Sequence, residues 1–288
     1  MKHVLTVALG DSTVLVDFLA RRLEVAPIVA SGWIARGAVE VNRRRADGHS
    51  PLELGARVMV RAPHGERVGT RLEPAPPLVE VFRDQHLLVI AKPVGMVSQA
   101  DKTNLLSVET LARRRDPTAR AVHRIDRDAS GLVLLALDGE THARAQAAFA
   151  SNAARRHYLA LSSSHVSAPL EISLRIARDR RDTRRRVAMP ASAPGGQAAL
   201  TRILASRSVG DACGLLVAID TGRTHQIRVH LASQGHPLVG DTLYGGAPAP
   251  RLMLHAWRLA LDHPVTGQPL ALVAPPPAEL APFVDLRE

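Results

Sequence analysis

The sequence predicts an α+β fold, in which a large domain on a mixed, mainly antiparallel sheet flanked by helices follows a small α/β-type domain. The chain has 288 residues, which is enough for two such domains. Short turns such as 263–268 join consecutive apolar runs, which favours antiparallel neighbours. A Pro-rich stretch without apolar periodicity, residues 62–77, is predicted to link the domains 1–61 and 78–288. The strand-like runs of the large domain are 86–91, 131–137, 214–220, 252–261 and 270–274.

Residues 1–61 are predicted to contain two helices followed by two strands. The segment Asp11-Ser12-Thr13 is predicted to cap the first helix, because short polar side chains accept hydrogen bonds from free backbone N–H groups. Pro27 and Gly37 suit the start and the end of a second helix over about 28–36. Residues 39–42 and 57–61 alternate like strands. The apolar residues at helical spacing in the first helix are Val14, Leu15, Phe18, Leu19 and Leu23.

The charge of the chain points to an anionic partner. Lys and Arg together number 37 against 27 Asp and Glu, a formal net charge of +10, and only three of the basic residues are lysines. Arginine pairs well with phosphate, so a nucleic acid is the leading candidate. Four arginines of the small domain are predicted to share one face, although a solvated turn that binds nothing is the alternative: Arg36, Arg43, Arg44 and Arg45.

Composition also excludes several classes. Aromatic residues are only 3% of the chain, so binding by stacking many bases on aromatic platforms is disfavoured. Cys213 is the only cysteine, which rules out a disulfide within the chain, and it is interpreted as a small core residue. The sequence has neither an apolar stretch of about 20 residues nor a long signal core, so we expect no membrane contact and a cytoplasmic location.

The large domain carries a dense arginine run and one clear helical segment. Residues 139–150 are predicted to be a helix in which alanines recur on one side. Residues 175–187 hold seven arginines and two aspartates and are predicted to form an exposed hairpin or loop. Such a run is usually only solvated, but it also suits phosphate contacts.

The most informative segment is 122–135, in which a polar cluster precedes a wholly apolar strand. Charged side chains at the mouth of a buried element are well placed for chemistry, and Asp126 is the leading candidate for a reactive group. From this segment alone, a solvated turn before a core strand explains the pattern equally well. Ser130 lacks the Gly-x-Ser-x-Gly elbow of a serine hydrolase. A glycosidase that uses Asp126 and Asp128 is disfavoured but not excluded.

A second polar constellation covers residues 221–246. We predict a helix over about 225–234 that Thr224 caps and that Gly235 ends. Three histidines lie in this region, but no acidic or cysteine ligand accompanies them at useful spacing, so no metal site is expected. Hydrogen-bonding roles are favoured instead for His225, His230 and His236.

Taken together, these segments resemble the RluA family of RNA pseudouridine synthases. The matching stretches are 87–95, 123–126 with Ser130-Gly131, 155–160, 222–230, 240–245 and 254–256 with His263-Pro264. The small domain, in its helix–helix–strand order, resembles the S-four-like RNA-binding module. The resemblance implies that the chain isomerises uridine to pseudouridine in RNA without a cofactor or a metal. Ribosomal RNA is expected to be the substrate more than transfer RNA, and the enzyme is expected to be a monomer.

The resemblance also implies roles for individual residues. Asp126 matches the catalytic aspartate, and Arg228 matches the arginine that pairs with it. Tyr158 matches the tyrosine that contacts the target base. Arg124 matches the arginine that fills the space of the flipped nucleotide, and Leu254 is implied to line the base pocket. The chain departs from the usual family pattern at Ile125, Ala129, Gln99 and Arg155-Arg156, the last of which replaces a lysine.

Two other functions remain as alternatives to this enzyme. A non-catalytic RNA-binding or ribosome-assembly protein on the same fold has no physical need for a buried aspartate–arginine pair. A hydrolase directed at phosphate or at the glycosidic bond would cleave the strand or release the free base.

Overall fold

The computed structural model describes residues 2–25, 27–47, 50–61, 77–100 and 106–287, and the chain divides into two compact units. The small unit comprises Met1–Leu78 and Gln99–Pro117, and the large unit comprises Val79–Ser98 and Thr118–Glu288. This division differs from the predicted domains, because 99–117 groups with the small unit, where Arg114 pairs with Asp17. Except for residue 77, the predicted linker lies outside the described residues.

The small unit packs two helices on a sheet, as the sequence predicts. The four strands described in it are ordered β1-β4-β2-β3, and all of their pairings are antiparallel. Phe18, Leu19, Trp33 and Val58 are almost completely buried in its core. The elements are β1 (Lys2–Thr6), α1 (Leu15–Arg22), α2 (Pro27–Ala35), β2 (Val39–Val41), β3 (Arg44–Arg45), β4 (Arg57–Arg61) and the short α3 (Val108–Ala112).

The predicted cap of the first helix is wrong. The N-cap residue of α1 is Val14, which makes no side-chain capping hydrogen bond. Asp11 instead accepts a hydrogen bond from the Ala8 N–H and pairs with Arg22, while Ser12 Oγ accepts from the Val14 N–H. The polar segment therefore closes a turn before the helix, because turns and caps use the same side-chain acceptors.

Strands β2 and β3 form a tight hairpin whose two turn residues are Asn42 and Arg43. Both have positive φ, at 50° and 67°, as a two-residue turn of this hand requires. The Asn42 Oδ1 atom accepts from the Arg57 N–H at 2.9 Å, which ties the turn to β4. Arg43 and its neighbours Arg44 and Arg45 are exposed on this hairpin.

The large unit is built on a mixed sheet of eleven described strands. Their order is β11-β10-β12-β13-β9-β14-β8-β6-β5, with β15 beside β14 and β7 beside β8. The strands are β5 (Val79–Arg83), β6 (Leu87–Lys92), β7 (Arg120–Ala121), β8 (Ser130–Ala136), β9 (Arg155–Ser162), β10 (Leu170–Arg178), β11 (Arg186–Met189), β12 (Gln197–Val209), β13 (Ala212–Ile219), β14 (Leu254–Asp262) and β15 (Pro269–Val273). The helices are α4 (Gly139–Ala150), α5 (Gln226–Ser233) and a 3-10 turn, Ala281–Phe283.

Most predicted elements of the large unit are confirmed within two residues. The five strand-like runs correspond to β6, β8, β13, β14 and β15, and the helix over 139–150 is α4. Residues 175–187 form most of the hairpin between β10 and β11. The sequence analysis missed β5, β7, β9, β10 and β12. Polar residues interrupt the apolar alternation in β9 and β12, whereas β10 alternates regularly from Leu170 to Ile176 and was not recognised. No helix in the described part of the chain is long and apolar enough to cross a bilayer.

One pairing joins the strand that follows the Asp126 loop to the strand that begins with Leu254. Strands β8 and β14 run parallel, with Ser130 opposite His255 and Gly131 opposite Ala256. Gly131 has φ of 116°, and a Cβ atom there would lie 2.2 Å from the Ala256 carbonyl oxygen. Only glycine allows the strands to approach this closely at the point where the polar segment enters the sheet.

Candidate active site

Asp126 lies on the loop that connects β7 to β8, and the segment 92–98 holds the backbone of this loop. Ser98 Oγ accepts from the Ile125 N–H at 3.1 Å. The Gly95 N–H donates to the Arg127 carbonyl oxygen at 2.9 Å, and the Arg127 side chain returns a bond to the Gly95 carbonyl oxygen. Hydrogen bonds on both sides of Asp126 therefore hold the backbone from which its side chain extends.

Lys92 is at the centre of this arrangement, and the sequence analysis gave it no role. Its ammonium is buried within hydrogen-bond distance of four carbonyl oxygens, those of Pro93, Met96, Arg127 and Ala129, at 2.6–3.1 Å. Burial lowers the pKa of Lys92 to about 7, while the carboxylates of Asp126 and Asp128 act in the opposite direction. Lys92 thus joins the end of β6 to the loop that carries Asp126.

Arg228 on α5 makes contact with Asp126, as the resemblance implies. Its Nη1 atom is 3.5 Å from Asp126 Oδ2, and the two side chains are 5% and 20% exposed. The stronger partner of Arg228 is Asp241, whose two oxygens accept from Nε and Nη2 at 2.7 and 2.8 Å. Burial lowers the pKa of Arg228. The hydrogen bonds that Arg228 donates to Asp241 and the charge of Asp126 more than offset this effect, so the pKa of Arg228 is raised.

Asp241 is therefore a site residue that the sequence analysis missed. Its side chain is fully buried, and a bidentate pair fixes both the position and the plane of the Arg228 guanidinium. The sequence contained one indication of this role, because Asp241 lies in a Gly-rich turn within the matching stretch 240–245. Nothing in the sequence showed that this turn folds back beside α5.

Tyr244 and His225 support Arg228 from the other side. The Tyr244 hydroxyl accepts from the Arg186 N–H at 2.8 Å and lies 2.9 Å from His225 Nδ1. The Arg228 guanidinium carbon lies 5.2 Å from the centre of the Tyr244 ring, which suits a cation–π contact. His225, with φ of 57°, is the N-cap residue of α5, so the prediction that Thr224 caps this helix is wrong.

The turn before α5 is fixed by Gln226 rather than by a helix cap. Its Oε1 atom accepts from the Thr221 hydroxyl at 2.8 Å and from the Arg223 N–H at 3.0 Å. The Nε2 atom donates to the Leu200 carbonyl oxygen on β12. His230 and His236 lie farther along, each beside a hydroxyl, those of Thr201 and Ser164 respectively.

Asp126 opens onto a pocket that is partly open to solvent. Tyr158 and Leu254 line this pocket together with Asp126, as the resemblance implies. Tyr158 is only 7% exposed. Burial raises its pKa to about 12, so its hydroxyl remains protonated near neutral pH. The apolar part of the lining consists of Ile125, Ala129, Ile219, Ile227 and Leu254.

Arg124 and His123 lie at the same pocket in different environments. Arg124 is exposed, which leaves it accessible to an incoming nucleic acid. His123 is half-buried as a whole, but its ring stacks on Phe149 at 4.6 Å, and its Nε2 atom accepts from the Leu134 N–H at 3.1 Å. Burial of the ring and then the charge of Arg156 lower the pKa of His123 to about 3. The ring is therefore neutral and structural.

The remaining predicted RNA-binding residues belong to the small unit. Arg36, Arg43, Arg44 and Arg45 are all exposed. The Arg45 guanidinium lies over Gly37 at the end of α2, directly beside Arg36 in the chain. That these four arginines share one RNA-binding face stays a prediction.

The geometry suits chemistry on a small planar ring that carries polar edges. A carboxylate at a pocket wall can act as a nucleophile or a base, and a neighbouring guanidinium pairs with it and orients it. A protonated tyrosine faces the same space, and apolar side chains exclude water from part of it. The described residues contain no group of three or more His, Cys, Asp or Glu side chains suited to a metal ion.

Comparison with known proteins agrees with this geometry. The family model described as RNA pseudouridylate synthase matches residues 86–233. A Bacillus subtilis protein named as an uncharacterized RNA pseudouridine synthase is 32% identical over 283 residues, which cover 94% of this chain and 92% of that one. The Vibrio cholerae ribosomal large subunit pseudouridine synthase C is 31% identical over 92% of this chain and 90% of its own length.

Two solved human structures are also similar to this chain. Human RNA pseudouridylate synthase domain containing 1 is 29% identical, with a TM-score of 0.60, over 71% of this chain and 86% of that chain. Human RNA pseudouridylate synthase domain containing 4, at 22% identity and a TM-score of 0.57, is similar in fold over 70% of this chain and 90% of that one.

Proposed function

The chain belongs to the RNA pseudouridine synthase family, and we propose that it isomerises specific uridines of large-subunit ribosomal RNA through the Asp126 carboxylate. The family membership makes it an isomerase that acts on RNA. The ribosomal substrate is supported by the relatives from Nitrosomonas europaea and Vibrio cholerae, both named ribosomal large subunit pseudouridine synthases. The single observation that carries the catalytic assignment is Asp126, which contacts buried Arg228 at the wall of a pocket that Tyr158 also lines.

In the proposed reaction, the target uridine leaves its stack and places its base in this pocket. Asp126 either attacks the anomeric carbon of the ribose or assists glycal formation, and Arg228 pairs with its carboxylate and directs it. Tyr158 contacts the base and, as a protonated hydroxyl, serves in proton transfer. Unstacking a base costs a few kcal/mol, and Arg124 at the exposed mouth offsets part of this cost by filling the vacated space.

The small unit is proposed to bind RNA through Arg36, Arg43, Arg44 and Arg45. Exposed arginines contact phosphates without reading sequence, so this unit would supply affinity and position rather than chemistry. The enzyme is also proposed to act as a cytoplasmic monomer.

The test of the function is to map pseudouridine across all RNA from cells with and without this gene. We expect one or a few large-subunit positions to lose the modification. Purified enzyme should then convert the same uridine in a synthetic RNA, whereas Asp126→Asn should show no turnover and unchanged RNA affinity. Near-normal turnover by Asp126→Asn would remove the assigned role of this carboxylate. Loss of modification only in transfer RNA would replace the proposed substrate.

A further inference from the structure

Arg156 is a buried cation in the pocket that the roles assigned so far do not use. It is 8% exposed and lies two residues before Tyr158 on β9, so both side chains emerge on the same face of the sheet. The pocket lining includes both residues together with Asp126. A fully ionised arginine is rarely buried unless carboxylates or other acceptors satisfy its donors.

The donors of Arg156 are largely unused. Within the described residues its one hydrogen bond runs from Nη2 to the Asp220 carbonyl oxygen, at 2.7 Å. Its Nε atom is buried and has no hydrogen-bond partner in the described part of the chain. The nearby Asp220 carboxylate pairs with Arg202 instead. A buried donor without an acceptor is destabilising, which suggests that a ligand acceptor completes the site.

The local backbone keeps space beside this guanidinium. A Cβ atom at Gly222 would lie 2.9 Å from Arg156 Nη1, so a larger residue there would crowd the donor edge. On another side the guanidinium carbon lies 5.4 Å from the centre of the Phe149 ring, which fixes its plane. Burial lowers the pKa of Arg156, although the side chain remains charged at any physiological pH.

The reaction creates a charge that needs such a donor. When the C1′–N1 bond breaks, its electron pair stays on the uracil, and N1, O2 and O4 share the negative charge. When C5 then bonds to C1′, the ring gives a pair to the new bond, and the proton lost from C5 is matched by one gained at N1. A donor aimed at charge that develops during the reaction lowers the barrier more than one aimed at the substrate.

We propose that Arg156 is a catalytic residue that donates hydrogen bonds to a carbonyl oxygen, O2 or O4, of the uracil while the glycosidic bond is broken. The proposal rests on the proposed function of the pocket that contains Asp126. A phosphate is the less suitable ligand, because Arg156 is almost enclosed while Arg124 at the same pocket is exposed. The apolar lining around Arg156 suits a base rather than a phosphate.

The first test measures single-turnover rates at saturating enzyme, on a synthetic RNA that contains the mapped uridine. We expect Arg156→Gln to slow the reaction about 100- to 1000-fold, with RNA affinity changed less than about threefold. Arg156→Lys should recover at least about tenfold of this loss, because it keeps a cation and one set of donors. The matched control is Arg155→Gln, which removes the same charge from the exposed face of the same strand. A folded Arg156→Gln that is as fast as Arg155→Gln would overturn the proposal.

The second test separates contact with the base from a structural role. The same RNA is made with 2-thiouridine or 4-thiouridine at the target, since sulfur is a poorer hydrogen-bond acceptor than oxygen. If Arg156 contacts one carbonyl, the loss caused by Arg156→Gln should shrink to about tenfold or less on one of the two thio RNAs. Equal losses on all three RNAs would show a structural role and refute the contact. If Arg156→Gln does not fold, Arg156→Lys is compared on the same RNAs.

The two assignments fail in different ways. Full activity of Asp126→Asn would remove the proposed site, whatever Arg156 does. Inactive Asp126→Asn together with fully active Arg156→Gln would leave the site in place and remove only the role of Arg156.

Discussion

The arginines of the pocket and those of the small unit carry the same charge but are held in opposite ways. Arg228 is 5% exposed and bound through two nitrogens to a fully buried carboxylate. Arg43, Arg44 and Arg45 are exposed, and among the described residues they have no carboxylate partner. A buried guanidinium that is held by two hydrogen bonds has a fixed orientation, so it can direct one neighbouring group. Exposed guanidiniums attract any phosphate, and salt screens that attraction.

The sharpest way to break this comparison is to remove the partner that fixes Arg228. Asp241→Asn leaves a buried guanidinium without its counter-charge, and breaking such a pair typically costs about 3–5 kcal/mol of stability. We expect a markedly lower melting temperature and, in the fraction that folds, at least about a 100-fold loss of turnover, because Arg228 no longer directs Asp126. Calorimetry and single-turnover kinetics measure the two effects. A matched control is Asp285→Asn, which removes the exposed partner of Arg207. Equal behaviour of the two variants would contradict the role of Asp241.

Acid should lower the stability of the folded chain, because His123 is enclosed in its neutral form. Burial and Arg156 lower the pKa of His123 to about 3, below the value of about 6.5 in the unfolded chain. The unfolded state therefore binds the proton first, and stability falls as the pH drops from about 6.5 towards 3. This one residue should cost about 1–2 kcal/mol at pH 5 relative to pH 7.5.

The measurement is the melting temperature of the full chain between pH 7.5 and pH 5. His123→Gln keeps an acceptor near the position of Nε2 and should show a flatter pH dependence, even if it is less stable throughout. His165→Gln changes an exposed histidine and should behave like the unmodified chain. Identical pH dependence in all three proteins would mean that His123 is not enclosed as described.

The smallest effect is expected at the small unit. Changing Arg43, Arg44 and Arg45 together to Gln should weaken RNA binding about tenfold and reduce the dependence of log K on log salt by about 2 units, since each lost phosphate contact removes about 0.7–0.9. Turnover at saturating RNA should not change. Binding is measured between 50 and 200 mM salt, on the RNA that the mapping identifies.

The control for this variant removes three arginines that already have carboxylate partners. Arg83, Arg144 and Arg207 of the large unit pair with Glu80, Glu140 and Asp285. Their combined change to Gln alters the net charge equally but should affect the salt dependence less. If both triple variants lose the same affinity, net charge alone explains RNA binding, and the small unit has no special part in it.

Local sequence predicted those elements that need no distant partner. Strands β6, β8 and β14 were predicted correctly because each is a short, nearly continuous apolar run, and such a run indicates a buried strand. Strands β9 and β12 were missed, because neighbouring strands and not local propensity hold their polar residues in the sheet. Strand β10 does carry the local signal, since its apolar residues alternate from Leu170 to Ile176. The two wrong caps have a similar cause, since Asp11, Ser12 and Thr224 have acceptors that suit several local turns.

The residues of the candidate site likewise divide into those proposed from the sequence and those recognised only in the structure. Asp126, Tyr158, Arg228, Arg124 and Leu254 were proposed from short matching stretches, and the structure places all five at or beside one pocket. The roles of Lys92, Asp241 and Arg156 were not visible in the sequence, because each depends on which groups surround the side chain after folding.

The sequence by itself determined the family and the class of reaction, and it led to the proposal of Asp126 as the reactive carboxylate, since residue types in a fixed order are sufficient for a family match. Only the tertiary structure decided which charges meet. Asp126 and Arg228 are 102 residues apart in the chain and 3.5 Å apart in space. Asp126 lies on the loop before β8 and Arg228 lies on α5, so they meet only after the chain folds, and the strength of a charge pair depends on its distance and burial.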